Sequence, residues 1–220
     1  IHSAYFYGVK KLLFLGSACS YPRECPQPMK EESLLSGYLE PTNEPYAVAK
    51  IAGIKMCEAY NRQYGTNFIC AVPTNVYGPN DNFDLDNSHV IPALIRKFHE
   101  AKVKEQTTVT IWGTGSPIRE FMYVDGLADA CLFLMENYNS SEIINVGSSE
   151  EISIKGLAYL IKDVVEYRGE IIFDRSKPDG VLRKVLDGSK MNRLGWKAKV
   201  SLQEGLRETY KCYREHKKEI

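Results

Sequence analysis

What most constrains the fold of this chain is a strand, helix, strand rhythm between Lys10 and Val72. Lys10 to Leu15 is a short, continuous apolar run ending in Gly16, as a parallel strand buried on both faces should look. From Tyr46 to about Tyr64 the spacing predicts a helix, with Ala49, Gly53, Met56, Cys57 and Tyr60 on its apolar stripe and Gly65 as its stop. Asn67 to Val72 repeats the strand pattern, and Pro73 to Pro79 leaves its carboxyl end. Parallel strands joined through a helix require a right-handed crossover, so the expectation is an α/β fold built on a parallel sheet.

The remaining segments fit around that unit. Residues 1–8 read as a helix end closed by Gly8, and Pro22 to Pro45 as a long polar loop. Beyond Pro79 the character changes. A polar loop, Asn80 to Asn87, leads to a helix with Ser88 as its expected N-cap. Val109 to Trp112 is a strand and Gly113 to Pro117 a turn; Phe121 to Val124 leads into a helix over 126–138. Ile143 to Val146 is a candidate to return to the main sheet. Ser153 caps a further helix closed by Gly169, and Glu170 to Phe173 is another strand. Ser201 and Glu204 form a capping box for the last helix, whose basic end, with Lys217 and Lys218, reads as solvated. The expected domains are 1–79 and 80–220.

Lys+Arg and Asp+Glu both number 28, so no net field argues for nucleic acid or an anionic membrane as partner. No apolar run approaches the roughly 20 residues of a membrane-spanning helix. The six cysteines show no CxxC or zinc-like spacing, so no metal is expected and the compartment reads as reducing and cytoplasmic.

Chemistry concentrates after the first strand and at the start of the long helix. A turn past the carboxyl end of a strand is where doubly wound sheets bind ligands, and Ser17 and Cys19 sit in such a turn. Tyr46 and Lys50 are one helical turn apart on one face, and a cation beside a phenol favours its ionised form. Ser17, Tyr46 and Lys50 thus form a candidate proton-handling trio for a sugar hydroxyl or ketone. Taken alone, Tyr-x-x-x-Lys is also compatible with a solvated surface pair. A thiol at Cys19 can take a proton from carbon. Arg119, just beyond the turn after Trp112, is suited to bidentate bonds with phosphate, and Lys97 to a point-charge contact.

The runs LLFLGSACSYP, LEPTNEPYAVAKIAGIKMCEAYNRQYG, PTNVYGPNDNFDLDNSHVIPALIRKFHEA, WGTGSPIREFMYVD and KPDGVLRKVLD resemble the GDP-L-fucose synthase family of extended short-chain dehydrogenases/reductases. The resemblance covers essentially the whole chain. It implies a Rossmann-type doubly wound parallel sheet lacking its first strands, with a smaller α/β substrate lobe. It implies 3,5-epimerisation and NADPH-dependent 4-reduction of GDP-4-keto-6-deoxy-D-mannose, by a homodimer. Cys19 would be the carbon base and His89 the acid. NADP(H) would lie along Leu15, Gly16, Ser17, Ala18, Pro73, Thr74, Asn75 and Val76, with Lys50 and His89. Lys97, Trp112, Arg119 and Asp179 would hold the GDP-sugar.

The Gly-rich phosphate fingerprint of such a cofactor site does not occur in these residues, which implies an upstream portion. Ser20 stands where the family usually has an apolar residue, Ala18 for a usual Ser, Gly126 for a usual Asp and Leu182 for a usual Pro. The alternatives are a nucleotide-sugar 4-epimerase or 4-reductase, for which Cys19 and His89 are dispensable, and a non-catalytic binding remnant.

Overall fold

Glycines decide how closely the first helix and strand can pack. In the computed structural model, which describes residues 1–216, a Cβ added at Gly53 would overlap the ring of Phe14. The ring of Phe14 therefore packs directly on the helix backbone at Gly53. The elements run α1 (His2–Phe6), β1 (Leu12–Leu15), α2 (Glu44–Tyr64), β2 (Phe68–Pro73), β3 (Asn75–Tyr77), α3 (Val90–Val103), β4 (Thr108–Trp112) and β5 (Ile118–Tyr123). Then follow α4 (Val124–Asn137), β6 (Ile144–Val146), β7 (Glu151–Ser153), α5 (Ile154–Val165), β8 (Glu170–Asp174), β9 (Arg183–Lys184), α6 (Ser189–Arg193) and α7 (Leu202–His216). Lys217 and Lys218 lie outside the described residues.

The chain divides into two units. The first comprises Ile1–Asn75, Asp125–Ser149 and Lys184–Lys199. Its sheet is parallel, in the order β1-β2-β6, with Leu12 opposite Phe68 and Val72 opposite Asn145. Every residue of β2 from Phe68 to Val72 is buried, as its continuous apolar run requires. Helix α2 covers β1 and β2; Ile54 and Cys57 are fully buried beneath it, with Phe68, Cys70 and Val72 in the same core. Gly65, in the left-handed region at φ 64°, ends α2 by donating its N–H to Asn61 O. Lys11 donates from Nζ to Leu134 O and Met135 O, satisfying carbonyls in the last turn of α4.

The outer edge of β6 is closed by side chains. The N–H of Asn145 donates to the Glu31 carboxylate at 3.0 Å, and its Nδ2 donates to Met29 O at 3.0 Å and Asp187 O at 3.3 Å. Met29 in turn forms an isolated parallel bridge with Leu186.

The second unit comprises Val76–Val124, Glu150–Arg183 and the chain from Val200 onward. Strands β3, β5 and β7 form one sheet, with β9 on β5, and β4 pairs in parallel with β8. Ile91, Leu94, Ile95 and Phe98 of α3 pack with Leu157 and Ile161 of α5 and with Leu206 of α7. The Ser201–Glu204 capping box is formed: Ser201 N donates to the Glu204 carboxylate, and Glu204 N to Ser201 Oγ.

Six local expectations are corrected. β1, expected to be buried on both faces, is half-buried with Leu15 exposed. On α2 the buried face is Ala47, Ile51, Ile54 and Cys57, while Ala49 and Met56 of the expected stripe are exposed. His89, not Ser88, is the N-cap of α3, because Ser88 N is drawn back to Asp84 O in the preceding turn. Helix α4 starts at Val124, before Gly126. Helix α5 closes at Glu166, a non-glycine residue at φ 59°, and not at Gly169. Ile118 to Phe121 is already strand, because Ile118 and Arg119 pair with Ser153 and Ile152 of β7.

Candidate active site

All three strands of the first sheet point the same way, so their carboxyl ends share one edge, where such sheets bind ligands. From β1 that edge receives Gly16, which packs so tightly that an added Cβ would meet Ile54 Cδ1 at 3.1 Å and Val72 Cγ2 at 3.2 Å. Ser17 follows in extended conformation, and its Oγ accepts from Cys19 N at 3.2 Å, capping the 3₁₀ turn Ala18–Ser20. Used as an acceptor there, the Ser17 hydroxyl keeps its own proton to donate.

Cys19 is half-buried, and two donors face its sulfur. Lys184 Nζ and Asn43 Nδ2 each lie 3.3 Å from Sγ.

Tyr46 and Lys50 occupy the first two turns of α2, which starts at Glu44 with Pro45 preorganising its first turn. Tyr46 is 50% exposed. Lys50 Nζ donates to Leu15 O at 2.9 Å and stands 5.7 Å from the Tyr46 ring centroid and 5.5 Å from that of Phe14. This brings the end of β1 and the start of α2 together. From β2, Pro73 and Thr74 continue to the same edge, where Thr74 N donates to Val146 O, and Asn75 follows, exposed.

The second unit carries the remaining expected residues. His89 is exposed at the start of α3 and makes no side-chain cap bond. Lys97 Nζ lies 5.6 Å from the ring centroid of Trp112, which is 67% exposed, and Lys177 Nζ stands at the same distance. Arg119, half-buried on β5, bonds the carbonyl of Ile118. Burial pushes its guanidinium below the ordinary value, with no carboxylate among the described residues to offset it. Asp179 is engaged within the fold: its carboxylate accepts from Thr114 N and Thr114 Oγ1, both at 2.7 Å, which holds it below the usual carboxylate range. Val76, the middle residue of β3, is the first residue of this unit.

A family model for the NAD dependent epimerase/dehydratase family matches residues 1–147. The chain belongs to that family. GDP-L-fucose synthase 1 of Arabidopsis thaliana is 58% identical over 97% of this chain and 66% of its own length. GDP-L-fucose synthase of Escherichia coli (strain K12) is 51% identical over 98% of this chain and 70% of its own. A GDP-L-fucose synthetase from Naegleria fowleri, solved bound to NADP, superposes with a TM-score of 0.93 at 32% identity, covering 99% of this chain and 70% of that one. The chain thus spans about two thirds of the length of the relatives it matches.

For a member of the epimerase/dehydratase family, the sheet edge fits the nicotinamide half of a dinucleotide. Gly16 is close-packed at the end of β1, and the Lys50 ammonium stands on the carbonyl of exposed Leu15 with the Tyr46 ring beside it. Sequence reasoning missed Asn43, Lys184 and Lys177. Lys184 lies in the run KPDGVLRKVLD, but nothing local in that run points to a thiol 165 positions upstream. Among the described residues, no group of histidines, cysteines and carboxylates is arranged to hold a metal, and no helix is long and apolar enough to cross a membrane.

Proposed function

We propose that this chain is the catalytic and substrate-binding portion of a GDP-4-keto-6-deoxy-D-mannose 3,5-epimerase and NADPH-dependent 4-reductase that yields GDP-L-fucose. The observation that carries the reading is Cys19, with Lys184 and Asn43 both donating to its sulfur, in the same turn as Ser17. A 4-reductase needs only the trio Ser17, Tyr46 and Lys50. A thiol with two donors on it is what proton removal from carbon adds.

A 4-ketone acidifies the hydrogens on C3 and C5 through the enolate. The Cys19 thiolate takes such a proton, the Ser17 hydroxyl donates to the enolate oxygen, and His89 returns a proton to carbon with inversion. NADPH, when bound, supplies the hydride for C4. Tyr46 gives its hydroxyl proton to the C4 oxygen, and Lys50 holds Tyr46 and the cofactor ribose. Leu15 to Ala18 and Pro73 to Val76 line the nicotinamide half. Arg119, desolvated and without an acidic partner among the described residues, binds the diphosphate of the GDP-sugar, with Lys97, Trp112 and Asp179 completing the grip. Residues 1–79 serve mainly the cofactor and 80–220 the sugar nucleotide. Six cysteines with no disulfide among the described residues suit a reducing cytoplasm, and the working form is a homodimer.

The test is NADPH oxidation on GDP-4-keto-6-deoxy-D-mannose, by the chain alone and joined to the N-terminal portion of a relative, with the sugar identified by NMR. GDP-L-fucose is the expected product. Reduction without inversion at C3 and C5 leaves a 4-reductase, and absence of NADPH binding by the joined protein leaves a binding remnant.

A further inference from the structure

The two residues that face each other at the thiol, Cys19 and Lys184, sit on segments with no regular pairing between them, yet one buried side chain holds both. Tyr21, two residues beyond Cys19, donates from its hydroxyl to Asn145 Oδ1 at 2.6 Å. Asn145 is fully buried at the centre of β6, and its Nδ2 donates to Met29 O and to Asp187 O, three residues beyond Lys184. Met29 secures the same segment from both sides, donating to Val185 O and accepting from Asp187 N, both at 2.8 Å. The Asn145 N–H is itself held by the Glu31 carboxylate. Each polar group of the Asn145 side chain therefore has a partner, and only one orientation of the amide satisfies them. Burial, reinforced by the Glu31 charge, keeps the Tyr21 phenol well above its ordinary value, so it remains a donor.

We propose that Asn145 is a positioning residue: it sets the separation of the Cys19 sulfur from the Lys184 ammonium by anchoring Tyr21 through Oδ1 and the Lys184 segment through Nδ2. It touches neither group directly. The role rests on the reading of Cys19 as the carbon base, but its test needs no sugar nucleotide.

The measurement is the pH profile of iodoacetamide alkylation at Cys19, followed by mass spectrometry in the unliganded chain. The profiles of Cys131 and Cys212 serve as controls for the fold. Lys184→Met defines the profile without the ammonium, its midpoint shifted to higher pH. Asn145→Leu, which adds no charge of its own, is expected to move the midpoint in the same direction, slowing alkylation about threefold below the midpoint. Tyr21→Phe removes a single hydroxyl, keeps the buried ring and is expected to give a smaller shift of the same sign. If Asn145→Leu does not fold, Tyr21→Phe decides. A folded variant of either residue with an unmoved Cys19 midpoint overturns the proposal, as does a Lys184→Met profile equal to wild type. Movement at Cys19 together with Cys131 and Cys212 also overturns it, since that is general loosening. Failure of the catalytic reading is separate: it appears as absent C3 and C5 exchange while the alkylation shifts persist.

Discussion

The ammonium of Lys184 and the thiol of Cys19 meet at 3.3 Å although 165 positions separate them. On the proposed reading Cys19 removes a proton from carbon, a step that the ammonium beside its sulfur serves and that hydride transfer does not share. Lys184→Met is therefore expected to slow deuterium exchange at C3 and C5 by about tenfold or more. Reduction of an already inverted 4-ketone should continue near the wild-type rate. Equal losses in the two steps would show that Lys184 acts elsewhere.

Tyr46→Phe separates the steps in the opposite sense. Loss of the proton donor is expected to lower 4-reduction by roughly 10²–10⁴-fold, while exchange at C3 and C5 persists. Single-turnover NADPH oxidation, read beside NMR of the recovered sugar, distinguishes the two.

Helix α2 carries Tyr46 and Lys50, and its distance from β1 is set where Gly53 meets Phe14. Gly53→Ala gains helix propensity of about 1 kcal/mol. The added methyl must displace a ring from a packed core, at roughly 1–3 kcal/mol. The expected net is a lower melting temperature, partly restored when Phe14→Leu is added. Strict additivity of the two substitutions in thermal unfolding would refute direct contact as the cause.

Ser20 is fully buried, and its hydroxyl has no partner among the described residues. The family usually places an apolar residue there. Ser20→Ala removes the unpaired group and is expected to raise stability by about 1 kcal/mol, measured by urea denaturation. A decrease would reveal a hydrogen bond or an ordered water at that site.

Asp179 holds the Gly113–Gly115 turn through Thr114, and those bonds depress its carboxyl. With the folded value below the unfolded one, its contribution to stability is present above the unfolded value, near ~3.9, and fades as pH falls through the folded value. Asp179→Asn should therefore melt lower than wild type at neutral pH, the gap closing toward about pH 2. A gap independent of pH would mean that the carboxylate's charge is not what secures the turn.

The parts of the molecule legible in its sequence are those written locally. β1, α2 and β2 follow from apolar runs and glycine stops, and Ser17, Tyr46 and Lys50 follow from their place on those elements. β5 and β7 were not legible: Ile118 to Phe121 and Glu151 to Ser153 lack a strand's alternation and are ordered by pairing with each other. His89 at the head of α3 was hidden by Ser88, a better capping residue that the preceding turn had already recruited. Asn43 and Lys184 at the thiol, and Asn145 behind them, are brought together by long-range folding, for which a single sequence carries no periodic signal.

Glu31 also gives the first sheet a direction of growth. A strand with a free row of amides is an invitation to any extended peptide, yet on β6 the outward N–H at Asn145 is already taken by a carboxylate. Across the sheet, β1 has a neighbour on one side only among the described residues. Among the described residues, a strand recruited to this sheet finds its open border beside β1, while Glu31 and the Met29 segment occupy the border at β6.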